Sequence, residues 1–257
     1  MVRDEAMATA TEPQSEHEIH WLQAMGRVLI FPLDTFRRLY DRPAFLGAAL
    51  VQTAVYVVAG LALIGPTERA ALAALSSAHL PAGVPAATVA TERQMVPAIA
   101  YVSVLVLVPL TLWIRWTAVA LVYYLVGLTA ERETGFGRWY AVAVYAAIPG
   151  LVAYLLGALL LQLGPVAPAL AKDPAALFSA GAFLPAAALT TWTGMFLTQL
   201  NPFTIWYLAL AGSGFAVFSG WSRLRSMLMV VGLWLLEVLV LSSLAVVGAA
   251  LTHLGGA

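Results

Sequence analysis

Five stretches of this chain are each about 20 or more residues long and almost free of charge, the length of helix needed to cross the hydrocarbon of a bilayer. They run from about Ala44 to Ile64, Pro97 to Leu128, Gly137 to Leu163, Pro202 to Gly220 and Ser226 to Leu251. Lipid offers the backbone no hydrogen-bond partner, so each stretch must pair its own amides as an α-helix. The expected fold class is all-α, a polytopic transmembrane helix bundle of five spans. Composition agrees: 10% of the 257 residues are charged, against about 25% in a soluble domain. So few charges cannot cover a water-facing surface.

Local signals mark the ends of the spans. Asp41 suits a cap and Pro43 a first helical turn, while Gly65-Pro66 is expected to end the first span. The second span is long enough to bend at Pro109 or to run past the bilayer. The third holds Pro149-Gly150, and the fourth begins with Asn201 as cap and Pro202 in the first turn. A sixth apolar segment, residues 175–200, is interrupted by Gly181 and Pro185 and carries Thr190, Thr191, Thr193, Thr198 and Gln199. It reads as a re-entrant or interfacial helix between spans three and four, not as a sixth span. In the connection after the first span, one short helix is expected around Glu68 to Ser77.

Residues 1–18 are polar and acidic, with no apolar run for a signal peptide, and read as a disordered tail. Residues 19–42 read as a cytoplasmic interfacial elbow that precedes a transmembrane domain over 43–254. Its apolar residues recur at helical spacing, Pro32 divides it in two, and Arg27, Arg37 and Arg38 can lie among headgroups. Packing of this elbow against the bundle is the equally open alternative.

Basic residues accumulate in the cytoplasmic loops of membrane proteins. Five spans put Arg3, Arg27, Arg37, Arg38, Arg42, Arg132, Arg138, Arg223 and Arg225 on one side, and only Arg69, Arg93 and Lys172 on the other. The expected topology has a cytoplasmic N-terminus and an external C-terminus. Twelve arginines against one lysine, with many alanines, suggest a bacterial chain and hence an inner membrane.

Charges inside spans are the first place to seek function. Arg115 lies in the second span and Glu237 in the fifth, at similar depth. They are expected to face each other or share a polar pocket, because an unpaired ion there is costly. The pair reads either as a proton, ion or substrate site or as a device that sets helix register. Gln52, Gln162, Ser242 and Ser243 read as helix–helix hydrogen-bonding groups. Gly212, Ala216 and Gly220 repeat every four residues and form a small face for close helix packing.

Several chemistries have no residues to carry them. There is no cysteine, and none of His17, His20, His79 and His253 lies inside a span. The usual bases and metal ligands of intramembrane hydrolases are missing, so no catalytic residue, metal or cofactor is expected. No basic stripe tracks a phosphate backbone, so nucleic acid is not an expected partner.

Four ordered motifs resemble the Yip-domain superfamily, the Ypt/Rab-interacting membrane proteins. They are Phe31-Pro32-Leu33-Asp34-Thr35-Phe36 with Pro43 following, Tyr145-Ala146-Ala147-Ile148-Pro149, Leu200-Asn201-Pro202-Phe203-Thr204-Ile205-Trp206 ahead of a Gly-rich span, and Ser222-Arg223-Leu224-Arg225-Ser226. The resemblance singles out Pro32, Pro43, Pro149, Asn201, Pro202 and Trp206. It implies five spans, a cytoplasmic N-terminus and no catalysis. Glu131 to Gly137 replaces the family's paired glycines, and the Asp-Leu-Tyr-Gly-Pro motif of eukaryotic members is absent.

The expected function is a membrane scaffold or adaptor in membrane organisation or trafficking. Its partners would be the lipid bilayer, other membrane proteins or a homo-oligomer. The alternative is a small transporter or channel subunit that uses Arg115 and Glu237. A membrane-embedded enzyme ranks last.

Overall fold

A computed structural model describes residues 19–77, 86–130, 132, 135–163, 173–185 and 187–254. The disordered tail expected over residues 1–18 lies outside them. The described residues form ten α-helices with short non-α turns between them. Two short helices come first, α1 (Trp21–Val28) and α2 (Pro32–Arg38). The long elements follow: α3 (Leu46–Ser77), α4 (Ala86–Val102), α5 (Val108–Gly127), α6 (Phe136–Ala146) and α7 (Ile148–Leu163). The chain closes with α8 (Trp192–Gln199), α9 (Pro202–Ser219) and α10 (Arg223–Leu254). Five helical runs are long and apolar enough to cross a membrane: Leu46–Arg69, Arg93–Gly127, Phe136–Leu163, Pro202–Ser219 and Arg223–Gly248. The chain is an all-α integral membrane protein.

The core is built around α6. Its residues Trp139 through Ala146 are all buried, an uninterrupted run that only a helix surrounded on every side can hold. α5 and α9 flank it, and α2 closes one end through Phe36, whose ring meets Phe218 of α9 edge-on at 6.0 Å. Gly127 is where α5 meets Trp139; any Cβ there would overlap the indole. α9 and α10 form a tight antiparallel hairpin. Gly220 closes α9 at φ 77°, a left-handed conformation that favours glycine.

Two of the expected helix ends are corrected. Pro43 is not in the first turn of α3, and Asp41 does not cap it; the helix begins at Leu46. Tyr145 Oη donates to Ala44 O at 2.8 Å and Arg138 Nε donates to Tyr40 O at 2.8 Å, and these bonds hold residues 40–45 as a non-helical, turn-containing strap. Gly65-Pro66 does not end the helix either, because α3 runs on to Ser77. A proline leaves the carbonyl four residues back without its donor. That carbonyl is Ala62 O, and Gln162 Nε2 of α7 donates to it at 2.6 Å. The separate helix expected at Glu68 to Ser77 is therefore the continuation of α3.

The other proline breaks are accommodated differently. α6 and α7 are divided at Ala147, just before Pro149, and buried Gln52 of α3 donates to Val144 O at 3.1 Å beside the break. Ahead of Pro109, residues Ser103–Leu107 form a π-turn in which Val108 N donates five residues back, to Ser103 O. Residues 174–200 do not make a continuous helix. Three 3₁₀ turns, Pro174–Phe178, Ala180–Phe183 and Ala188–Thr190, lead into the two turns of α8. The segment folds back on itself, with Ala180 N donating to Leu200 O at 2.9 Å. It packs on α7 and α10.

Candidate functional site

Arg115 Nη2 lies 3.8 Å from Glu237 Oε1, an ion pair just too long for a hydrogen bond. Helix geometry accounts for the meeting. Arg115 precedes the end of α5 at Gly127 by about 18 Å of rise, and Glu237 follows the start of α10 at Arg223 by about 21 Å. The two rises are nearly equal, so the two side chains reach the same level of the bundle.

The pair stands where two cavities adjoin. The first, of about 310 Å³, is an apolar groove between α5 and α10, lined by Val122, Val230, Leu233, Val240 and Leu241 with Arg115 and Glu237. The second, of about 260 Å³, lies on the other side of Arg115. It is walled by Tyr56 of α3, Tyr154 of α7, Asp173, Gln199, Thr204 and Tyr207. Arg115, Val119, Tyr207 and Trp234 line both spaces. Arg115 keeps 63% of its side-chain surface accessible because it faces these openings rather than packed protein.

Asp173 brings a second carboxylate to the site. It caps the Pro174 turn, its Oδ1 accepting from Ala175 N at 3.0 Å. The turn is seated where Pro174 O meets Gly157 of α7, which has no side chain to keep it away. Burial raises the Asp173 carboxyl above the usual carboxylate range, against the opposing pull of the Ala175 amide and Arg115. It keeps an accessible surface because it faces the cavity. The Tyr207 and Tyr123 hydroxyls stand 3.4 Å apart, and the Tyr56 and Tyr154 rings pack on each other, centroids 4.8 Å apart, in the wall of the second cavity.

The other residues singled out from the sequence are dispersed. Pro32 opens α2, Pro149 is second in α7, and Pro202 opens α9. Asn201 caps α9, its Oδ1 accepting from Thr204 N at 2.8 Å, and it also lines the second cavity. Pro43 lies in the strap before α3, and Trp206 is half-buried against the core. A Cβ added at Gly212 would press on Met227 of α10; Ala216 is buried, and Gly220 is crossed by the Arg132 side chain.

Asp173, Tyr56, Tyr154, Tyr207 and Trp234 were not expected at the site. An aspartate before a proline signals a capped turn, but nothing local places that turn beside Arg115. Among the described residues, no three His, Cys, Asp or Glu side chains are grouped to hold a metal ion.

Residues 26–245 match the family model described as the Yip1 domain. No curated protein and no solved structure matches the chain at a significant level.

Proposed function

The chain belongs to the Yip1 domain family, and from that membership we propose that it is a non-catalytic scaffold or adaptor in the organisation of a bacterial inner membrane. The observation that carries this reading is the way α1 and α2 are mounted. One face is locked into the bundle through buried Ala24, Val28, Phe36 and Leu39. The opposite edge keeps Leu22, Ile30 and Phe31 exposed. A rigid apolar edge at the end of a membrane bundle suits contact with a membrane protein or a second copy of this chain. The charge bias supports a cytoplasmic position for that edge.

Photo-crosslinking side chains at positions 22, 30 and 31, in intact cells, test this. Crosslinks to a discrete membrane protein or to a second copy support the proposal. Crosslinks to lipid alone overturn it.

The two cavities meeting at Arg115 favour a second reading, a small transporter or channel subunit. Its test is solute flux in reconstituted vesicles, abolished by Glu237→Gln. Vesicles that stay tight to ions and small solutes count against it.

A further inference from the structure

We propose that the two cavities form one binding site for a phospholipid whose headgroup carries both a phosphate and an ammonium. The headgroup takes the polar cavity beside Arg115, and an acyl chain takes the groove between α5 and α10. The site goes beyond the scaffold reading and does not depend on it.

Charge selects the headgroup. One guanidinium stands between two carboxylates, Glu237 at 3.8 Å on the groove side and Asp173 on the cavity side. A simple anion would face both carboxylates, and a simple cation would face Arg115. A phosphate–ammonium zwitterion satisfies both signs. Its phosphate accepts from the planar guanidinium, the side chain best shaped to hold it. Its ammonium reaches Asp173 and the faces of Tyr56 and Tyr154, which wall the same cavity. Gln199, Thr204 and Tyr207 supply further hydrogen-bonding groups.

The groove selects a lipid over the free headgroup. Beyond Arg115 and Glu237 its lining is almost wholly apolar, and it opens past Val122, Val240 and Leu241, which are exposed on the lipid-facing surface. It joins the polar cavity at Arg115, Val119, Tyr207 and Trp234. At about 310 and 260 Å³, the cavities stand at the lower end of the range for a small-molecule site. Divided between headgroup and chain, they suit one amphiphile that crosses from one to the other. Free phosphoethanolamine has the same headgroup chemistry but nothing to place in the groove.

Native mass spectrometry of the detergent-purified full chain tests the site, with phosphatidylethanolamine, phosphatidylglycerol and free phosphoethanolamine as probes. The ethanolamine lipid should be held about tenfold more tightly than the glycerol lipid, the worth of one hydrogen bond to a charged group. Asp173→Asn keeps the cap on the Pro174 turn and should erase that preference. Ala118→Phe, which fills the groove, should weaken the lipid and leave free phosphoethanolamine unchanged. Melting curves establish that both variants are folded, and Asp173→Asn alone suffices if Ala118→Phe is not. Equal retention of the two lipids by the unsubstituted chain, or an unaltered preference in Asp173→Asn, would overturn the proposal. So would free phosphoethanolamine bound as tightly as the lipid.

Discussion

Arg115 of α5 and Glu237 of α10 form an ion pair of 3.8 Å near the middle of the bundle, bordered by an apolar groove and a polar cavity. A fully enclosed pair loses about 3–5 kcal/mol when one partner is removed. Arg115 faces open space, so Glu237→Gln should cost less, about 1–2 kcal/mol. Glu237→Arg should cost more by adding repulsion, and Arg115→Glu with Glu237→Arg should recover most of the loss. Unfolding of the purified protein in mixed micelles measures all three. A double swap no better than the worse single swap would remove the pair as a source of register.

Gln162 and Pro66 should be energetically coupled. Gln162 donates to the carbonyl that Pro66 cannot serve. Gln162→Leu should cost about 1 kcal/mol, a typical hydrogen bond between membrane helices. In a Pro66→Ala background the restored amide serves Ala62 O, and the same substitution should cost little. A double-mutant cycle by thermal unfolding reads the coupling.

Gly127→Ala should destabilise the bundle by about 1–3 kcal/mol through overpacking. The added methyl overlaps the ring of Trp139, which is fully buried and has no room to retreat. Trp139→Phe in the same chain should recover part of the loss. A Gly127→Ala melting temperature equal to that of the unsubstituted protein would contradict the packing described.

The elbow should have a small acid-sensitive component. Asp34 accepts from Arg27 at 2.7 Å and Arg38 at 3.1 Å, linking α1 to α2. The Arg27 hydrogen bond, then that from Arg38 and the two positive charges, hold its carboxyl below the usual range despite some burial. A lowered folded value means stability present above pH about 3.8, the ordinary carboxylate value, and lost as pH falls through the folded value. The three side chains keep 36% to 46% of their surface exposed, so the contribution is under about 1 kcal/mol. Asp34→Asn should melt slightly lower than the unsubstituted chain at pH 7, and the gap should close in acid. A gap unchanged between pH 7 and pH 3 would contradict the link.

Most of the fold is legible because each span is a local apolar run that must close its own hydrogen bonds. The start of α9 is equally local: Asn201 caps and Pro202 opens it. What escaped a sequence reading depends on distant partners. Pro66 looks like a stop until Gln162 serves the freed carbonyl of Ala62, from which it is 100 residues distant in the chain. Pro43 looks like a helix start until Tyr145 and Arg138 hold the non-helical strap around it. Arg115 and Glu237 can be set at one depth by counting residues. Asp173 cannot, because its position depends on a broken segment seated against Gly157. The 174–200 segment is apolar enough to suggest a long helix, but its turns and backbone contacts divide it.

Both the scaffold reading and the elbow's proposed place depend on an odd number of crossings with the N-terminus in the cytoplasm. Paired topology reporters, one fused at each terminus of the full chain in bacterial cells, test this most directly. The account predicts a cytoplasmic signal at the N-terminus and an external signal at the C-terminus. Both reporters on one side, or an external N-terminus, would contradict it.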